Sequence, residues 1–119
     1  MLWRIGLVAA ILAFSATLPA LARKTTIAQI LAEPASYDGE HVVVSGTITK
    51  LDRKISEKGN RYVTFWLCSD KCIEVYGVGS PNLTDNQTIT VFGTFSVVKR
   101  IGSYTFNNGI YADYGSLTP

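Results

Sequence analysis

Two stretches decide the fold: Val42-Val43-Val44-Ser45-Gly46-Thr47-Ile48 and Ile89-Thr90-Val91-Phe92-Gly93-Thr94-Phe95. Both alternate with period two, so Val42, Val44, Gly46 and Ile48 fall on one face of a strand, as do Ile89, Val91, Gly93 and Phe95. A glycine inside an otherwise good strand marks a bulge or a sharp bend, which a small curled sheet requires. Between the two stretches lie two further apolar runs, Tyr62 to Cys68 and Cys72 to Val78. Only Ser69-Asp70-Lys71 separates them, and a three-residue connection reads as a hairpin. Gly79 to Gln87, with Pro81, Asn82, Asp85 and Asn86, reads as a crossing loop. A fifth strand is expected over about Tyr104 to Asp113 after a turn at Gly102-Ser103, with Asn107-Asn108-Gly109 as a place where it bulges or breaks.

Upstream of these strands the pattern changes. Thr26 is placed to cap a short helix reaching Glu33, whose apolar stripe is Ile27, Ile30 and Leu31. Pro34 ends it, and Tyr37-Asp38-Gly39 turns the chain into the first strand. Residues 1–22 read as a cleaved export signal: Arg4 supplies a positive start, Ile5 to Phe14 an apolar run, and Ala20-Leu21-Ala22 a small-residue cleavage site. The rival reading is an uncleaved membrane anchor, since Ile5 to Ala22 approaches the roughly 20 apolar residues of a spanning helix. Ser15, Thr17 and Pro19 interrupt that run. Residues 23–119 then form a single domain, with no further segment resembling a membrane span, and the expected location is periplasmic or extracellular.

The chain has 119 residues, 47% hydrophobic and 17% charged, which excludes a wholly disordered protein and leaves little room for two domains. Loss of Arg4 with the leader removes one of 11 basic residues against 9 acids, so the net charge falls from +2 to +1. A strongly basic surface, the simplest signature of a nucleic-acid binder, is absent.

Five strands in the order of a three-strand meander, a linker and two more suit an all-β, five-stranded Greek-key barrel of the OB-fold type. An SH3-like barrel has the same strand count and is the competing architecture. The run Ile27 to Pro34, then Tyr37-Asp38-Gly39 and Val42 to Ile48, resembles the opening of bacterial exported OB-fold domains. Tyr62 to Leu67, Ile73 to Tyr76, Ile89 to Phe95 and Ile110-Tyr111-Ala112 are similar to the tRNA-anticodon-type OB pattern. The likeness is built from core and turn positions, so it speaks to fold more than to ligand. It implies either single-stranded nucleic acid, as in cytoplasmic relatives, or a role like that of small periplasmic stress-tolerance proteins. Cys68-Ser69-Asp70-Lys71-Cys72 departs from it, because an acidic-glycine turn without cysteines is expected there.

Cys68 and Cys72 flank the hairpin loop and can face one another across the strands. Facing residues lie about 4.5–5.5 Å apart at Cα, inside the disulfide range of about 4.4–6.8 Å, so a structural bridge is expected in an oxidising compartment. A soft-metal site would need a further ligand, and His41 is the only histidine. A redox role would favour C-x-x-C at a helix start. Metal or redox carriage therefore survives only through this pair, and no cofactor is expected.

If Val63, Phe65, Leu67, Ile73 and Val75 point inward, then Tyr62, Thr64, Trp66, Glu74 and Tyr76 point outward. On an OB barrel the second and third strands form the binding face, and aromatics there suit stacking on bases or sugars. Lys50, Arg53, Lys54, Lys58 and Arg61 surround the connection between the first two strands, and Lys99 and Arg100 precede the turn before the fifth. Cations framing aromatics fit single-stranded nucleic acid, although solvated lysines on a soluble hairpin would look the same. The candidate ligand-binding residues are Tyr62, Thr64, Trp66, Tyr76, Lys54, Lys58, Arg61, Lys99 and Arg100. No histidine-backed nucleophile, metal-binding acid cluster or phosphate loop is legible, so a non-enzymatic module is expected. Its partner is single-stranded nucleic acid or, alternatively, a protein, peptide or glycan of the cell envelope.

Overall fold

Thr26 caps the first helix, α1 (Ile27–Ala32), by accepting a hydrogen bond from the Gln29 amide, while the Gln29 side chain returns to the Thr26 amide. This reciprocal box satisfies two donors that a helix start otherwise leaves open. Pro34 closes α1 and opens one more helical turn, α2 (Pro34–Tyr37), because its fixed φ suits a first helical position. Ile27, Ile30 and Tyr37 face the core. The computed structural model describes residues 22–113 and 117–118. Residues 1–21, and with them nearly all of the expected leader, lie outside the described residues. Among the described residues no helix is long and apolar enough to cross a membrane.

The rest is mostly strand: β1 (Arg23–Lys24), β2 (His41–Ile55), β3 (Arg61–Cys68), β4 (Cys72–Val78), β5 (Thr88–Ile101), β6 (Tyr104–Ala112) and β7 (Leu117–Thr118). β2, β3 and β4 form an antiparallel meander. β6 joins β4 in parallel and β5 antiparallel, and β5 returns to the first half of β2. The five long strands thus pair in a closed circuit, and the all-β expectation holds. The inward set Val63, Phe65, Leu67, Ile73 and Val75 is buried as the alternation required. It packs with Val42, Val44, Ile48, Ile89, Val91, Phe95 and Ile110.

Gly46 in β2 and Gly93 in β5 sit where their strands change partners. β2 pairs with β5 up to Thr47 and with β3 from Thr47 onward, and Gly46 is at that corner. β5 leaves β2 for β6 at Thr94, next to Gly93. A Cβ at Gly93 would lie 2.4 Å from the Tyr111 carbonyl oxygen, and one at Gly46 would lie 2.9 Å from the Cys68 carbonyl oxygen. Only a bare Cα permits the crossing strand to come so close. The register shift itself falls elsewhere, between Thr49 and Asp52, where Lys50 takes φ 55°.

Three features depart from the pattern expected of the sequence. β2 continues through Lys50, Arg53 and Lys54 to Ile55, so these cations stand on a projecting two-stranded ribbon with β3 rather than in a loop. β6 runs through without a gap, and its alternation breaks at Asn108, φ 48°, inside the Asn107-Asn108-Gly109 stretch where a bulge or break was expected. What was not expected is the consequence for the face of the residues before it. Phe106 lies against Gly109 and Tyr76 on the outer face of the sheet, buried there by its aromatic neighbours and apart from the main core cluster. Finally, Arg53 donates to the Pro81 and Leu83 carbonyls at 2.8 and 2.6 Å, and this holds the crossing loop while Leu83 plugs the core.

Candidate functional site

The outer face of β3, β4 and β6 carries a stack of rings. Tyr62 lies on Tyr76 with centroids 4.8 Å apart and planes 16° from parallel. Tyr76 also stacks on Tyr111 at 5.5 Å and packs beside Tyr104 at 5.8 Å and Phe106 at 6.4 Å. The backbone produces this gathering: Tyr76 is in register with Tyr111 on β6, and the ribbon places Tyr62 one strand over. Gly109 makes room, since a Cβ there would be 1.9 Å from the Phe106 ring. Parallel and tilted ring pairs at these separations add to the gain from buried area.

Two cations cap the stack. The Lys54 ammonium lies 5.7 Å over the Tyr104 ring and the Lys99 ammonium 5.2 Å over the Tyr111 ring. Both fall within the roughly 6 Å at which a ring face attracts a cation. Asp52 is 3.6 Å from Lys54 and shares its charge in an exposed setting. Tyr104 donates its hydroxyl to Glu74. Burial, reinforced by that hydrogen bond and by the Glu74 charge, pushes the Tyr104 hydroxyl well above the ordinary tyrosine range. Burial raises Tyr76 as well, helped by Tyr62 and Tyr111.

Around this cluster the surface is hollow. A groove of about 400 Å³ opens between the β2–β3 and β5–β6 tips, lined by Tyr62, Tyr76, Tyr104, Ile55, Lys58 and Ile101 among others. A second hollow of about 590 Å³ adjoins it, lined by Arg61, Tyr62, Tyr76, Val78 and Tyr111 among others. Among the described residues no group of three or more His, Cys, Asp or Glu side chains is placed to hold a metal ion.

The expected site residues therefore separate. Tyr62, Tyr76, Lys54, Lys58, Arg61 and Lys99 are gathered around the two hollows. Trp66 is exposed, as the register required, but lines neither hollow; it stands opposite Thr49 and Glu74 toward the disulfide end of β3. Arg100, exposed and paired with Thr105, lines neither hollow. Thr64 and Tyr76 were expected in the open, yet they are only 8% and 7% exposed. For Tyr76 the reason is the β6 aromatics, which lie over it. Tyr104, Phe106 and Tyr111 were not among the ligand-binding candidates read from the sequence, although Tyr111 stands in the Ile110-Tyr111-Ala112 run noted there. Their spacing hides them, because Tyr104 and Phe106 share a face with Tyr111 only through the break at Asn108.

Cys68 and Cys72 form the expected disulfide, with Cα atoms 4.0 Å apart, and so present no thiolate to a metal. The bridge closes the β3–β4 hairpin, away from the groove.

No family model matches the chain, and no curated protein matches it. Solved structures do. One is described as a nucleic acid-binding lipoprotein of Klebsiella pneumoniae subsp. pneumoniae: it is 20% identical, with a TM-score of 0.52, and the match covers 78% of this chain and 88% of that one. Another is described as an aspartyl-tRNA synthetase of Leishmania major Friedlin, 10% identical with a TM-score of 0.53. There the match covers 86% of this chain but only 21% of the synthetase. At such identities the likeness is one of fold alone.

Proposed function

We propose that this chain is an exported, non-enzymatic OB-fold module that binds single-stranded nucleic acid along the tyrosine groove. The observation that carries the reading is the pairing of Lys54 with Tyr104 and Lys99 with Tyr111 around the Tyr62–Tyr76 stack. Cations beside ring faces offer phosphates a counter-charge and bases a stacking surface in one place. The closed circuit of a meander followed by two returning strands supports the OB-fold reading, as does the likeness to a protein described as nucleic acid-binding. Export is supported by the disulfide, by the leader-like residues 1–22 and by the lipoprotein description of the same neighbour.

The test is fluorescence anisotropy with a labelled twelve-residue oligothymidylate at low salt, comparing the wild-type protein with Tyr62→Ala. Removal of a stacking ring is expected to weaken binding by about tenfold, within the range known for base-aromatic contacts. No detectable binding of the oligonucleotide by a folded wild-type protein would overturn the reading and leave a protein, peptide or glycan partner as its replacement.

A further inference from the structure

The two hollows are one site divided in half. They share Asn60, Tyr62, Tyr76 and Ile101, so the Tyr62–Tyr76 stack is the wall between them. Beyond that wall each half repeats the same equipment. The first has Tyr104 with Lys54 over its ring and Lys58 on the rim. The second has Tyr111 with Lys99 over its ring and Arg61 on the rim. Each half thus has one cation in its lining and one tyrosine whose ring carries a lysine just outside that lining. The volumes, about 400 and 590 Å³, each suit a single small ligand unit, for which pockets run from about 300 to 1,000 Å³.

We infer that the groove takes two consecutive nucleotides as its unit of recognition, one on each side of Tyr62, with a phosphate beside each lysine. This inference rests on the nucleic-acid reading and adds to it a length and a division of labour. Tyr76 is closed off, so Tyr62 is the ring of the shared wall left to face a base, and the stack beneath holds it in place. Glu57 on the first rim, Asp52 beside Lys54 and Glu74 on the Tyr104 hydroxyl are the opposing charges, and all three belong to the first half. The second half, free of an acid in its lining, is the more attractive to a phosphate.

The experiment measures competition by unlabelled oligothymidylates of one to six nucleotides against the labelled twelve-residue probe. Affinity is expected to rise by about tenfold or more from one nucleotide to two, and by less than about threefold for each nucleotide after that. The double variant Arg61→Ala with Lys99→Ala removes the cation lining the second half and the one over its tyrosine, and neither residue belongs to the core. It should lose the step between one and two nucleotides and still bind the mononucleotide through the first half. An even rise over all six lengths, or survival of the step in the double variant, would overturn the two-nucleotide unit while leaving nucleic-acid binding intact. Failure of every length including the probe would instead overturn the reading on which the inference rests.

Discussion

Gly93 and Gly109 show how single missing side chains shape this surface. At Gly93 an added methyl meets a carbonyl oxygen of the neighbouring strand at 2.4 Å, and backbone in a paired strand has nowhere to go. At Gly109 it meets the ring of Phe106 at 1.9 Å, and although that ring is itself buried, a side chain can turn about its χ angles where paired backbone cannot. Gly109→Ala is therefore expected to cost about 1–3 kcal/mol, the usual range for overpacking, and Gly93→Ala more. Urea unfolding with a near-ultraviolet readout checks both, and equal costs would contradict this account. Tyr104 supplies the pH dependence. Its hydroxyl is neutral in the fold well above the ordinary value of 10.0, so the unfolded chain releases that proton first as pH rises. Stability is then full below about pH 10 and declines above it, toward the raised value of the folded state. The Tyr104→Phe variant should show a shallower alkaline decline in urea midpoint between pH 9 and 11 than the wild type.

Elements carry the contrast between what was legible in the sequence and what was not. Period-two alternation and apolar runs located the first four long strands, and the turn at Gly102-Ser103 the fifth. The mid-strand glycines announced the corners, because a core rejects polar groups and a close crossing rejects a Cβ. The extent of β2 was hidden. From Lys50 to Ile55 only Leu51 packs against the core, so no apolar alternation distinguishes the ribbon from a charged loop. The break at Asn107-Asn108-Gly109 was legible from its turn-forming residues, but the face of Tyr104 and Phe106 was not, since the hydrophobic pattern does not say to which side a positive φ at Asn108 turns them. The role of Arg53 belongs here as well: a residue in a charged run became the clamp of the crossing loop through two carbonyls. Arg53→Ala should therefore speed proteolytic cleavage within residues 79–87 and lower stability by about 1.5–3 kcal/mol, the scale of hydrogen bonds to a charged group. Arg53→Lys, unable to span both carbonyls, should behave more like the alanine variant than the wild type. Unchanged cleavage in Arg53→Ala would show the loop to be held by Leu83 alone.

At the scale of the whole molecule, charge sets a limit that the local site does not reveal. Once the expected leader is removed, the balance of 10 basic residues against 9 acids leaves a surface close to neutral, with the cations that matter gathered at Lys54, Lys58, Arg61 and Lys99. A protein with a broad basic face releases many counterions on binding and loses affinity steeply with salt. Here only about four phosphates have a cation to meet, and for a single strand each contributes a slope of about −0.7 in log affinity against log salt. The expected total for a twelve-residue oligothymidylate is thus about −3, or shallower because Asp52 already draws on Lys54. Lys54→Ala should consequently flatten the slope less than Lys99→Ala, although both lysines sit over a tyrosine. Anisotropy titrations between 20 and 300 mM sodium chloride measure all three slopes. A wild-type slope steeper than about −5 would mean that phosphates are met well outside the groove, by Lys50, Arg100 or other exposed cations. It would move the interface from the tyrosine stack to the ribbon and the far face of β5.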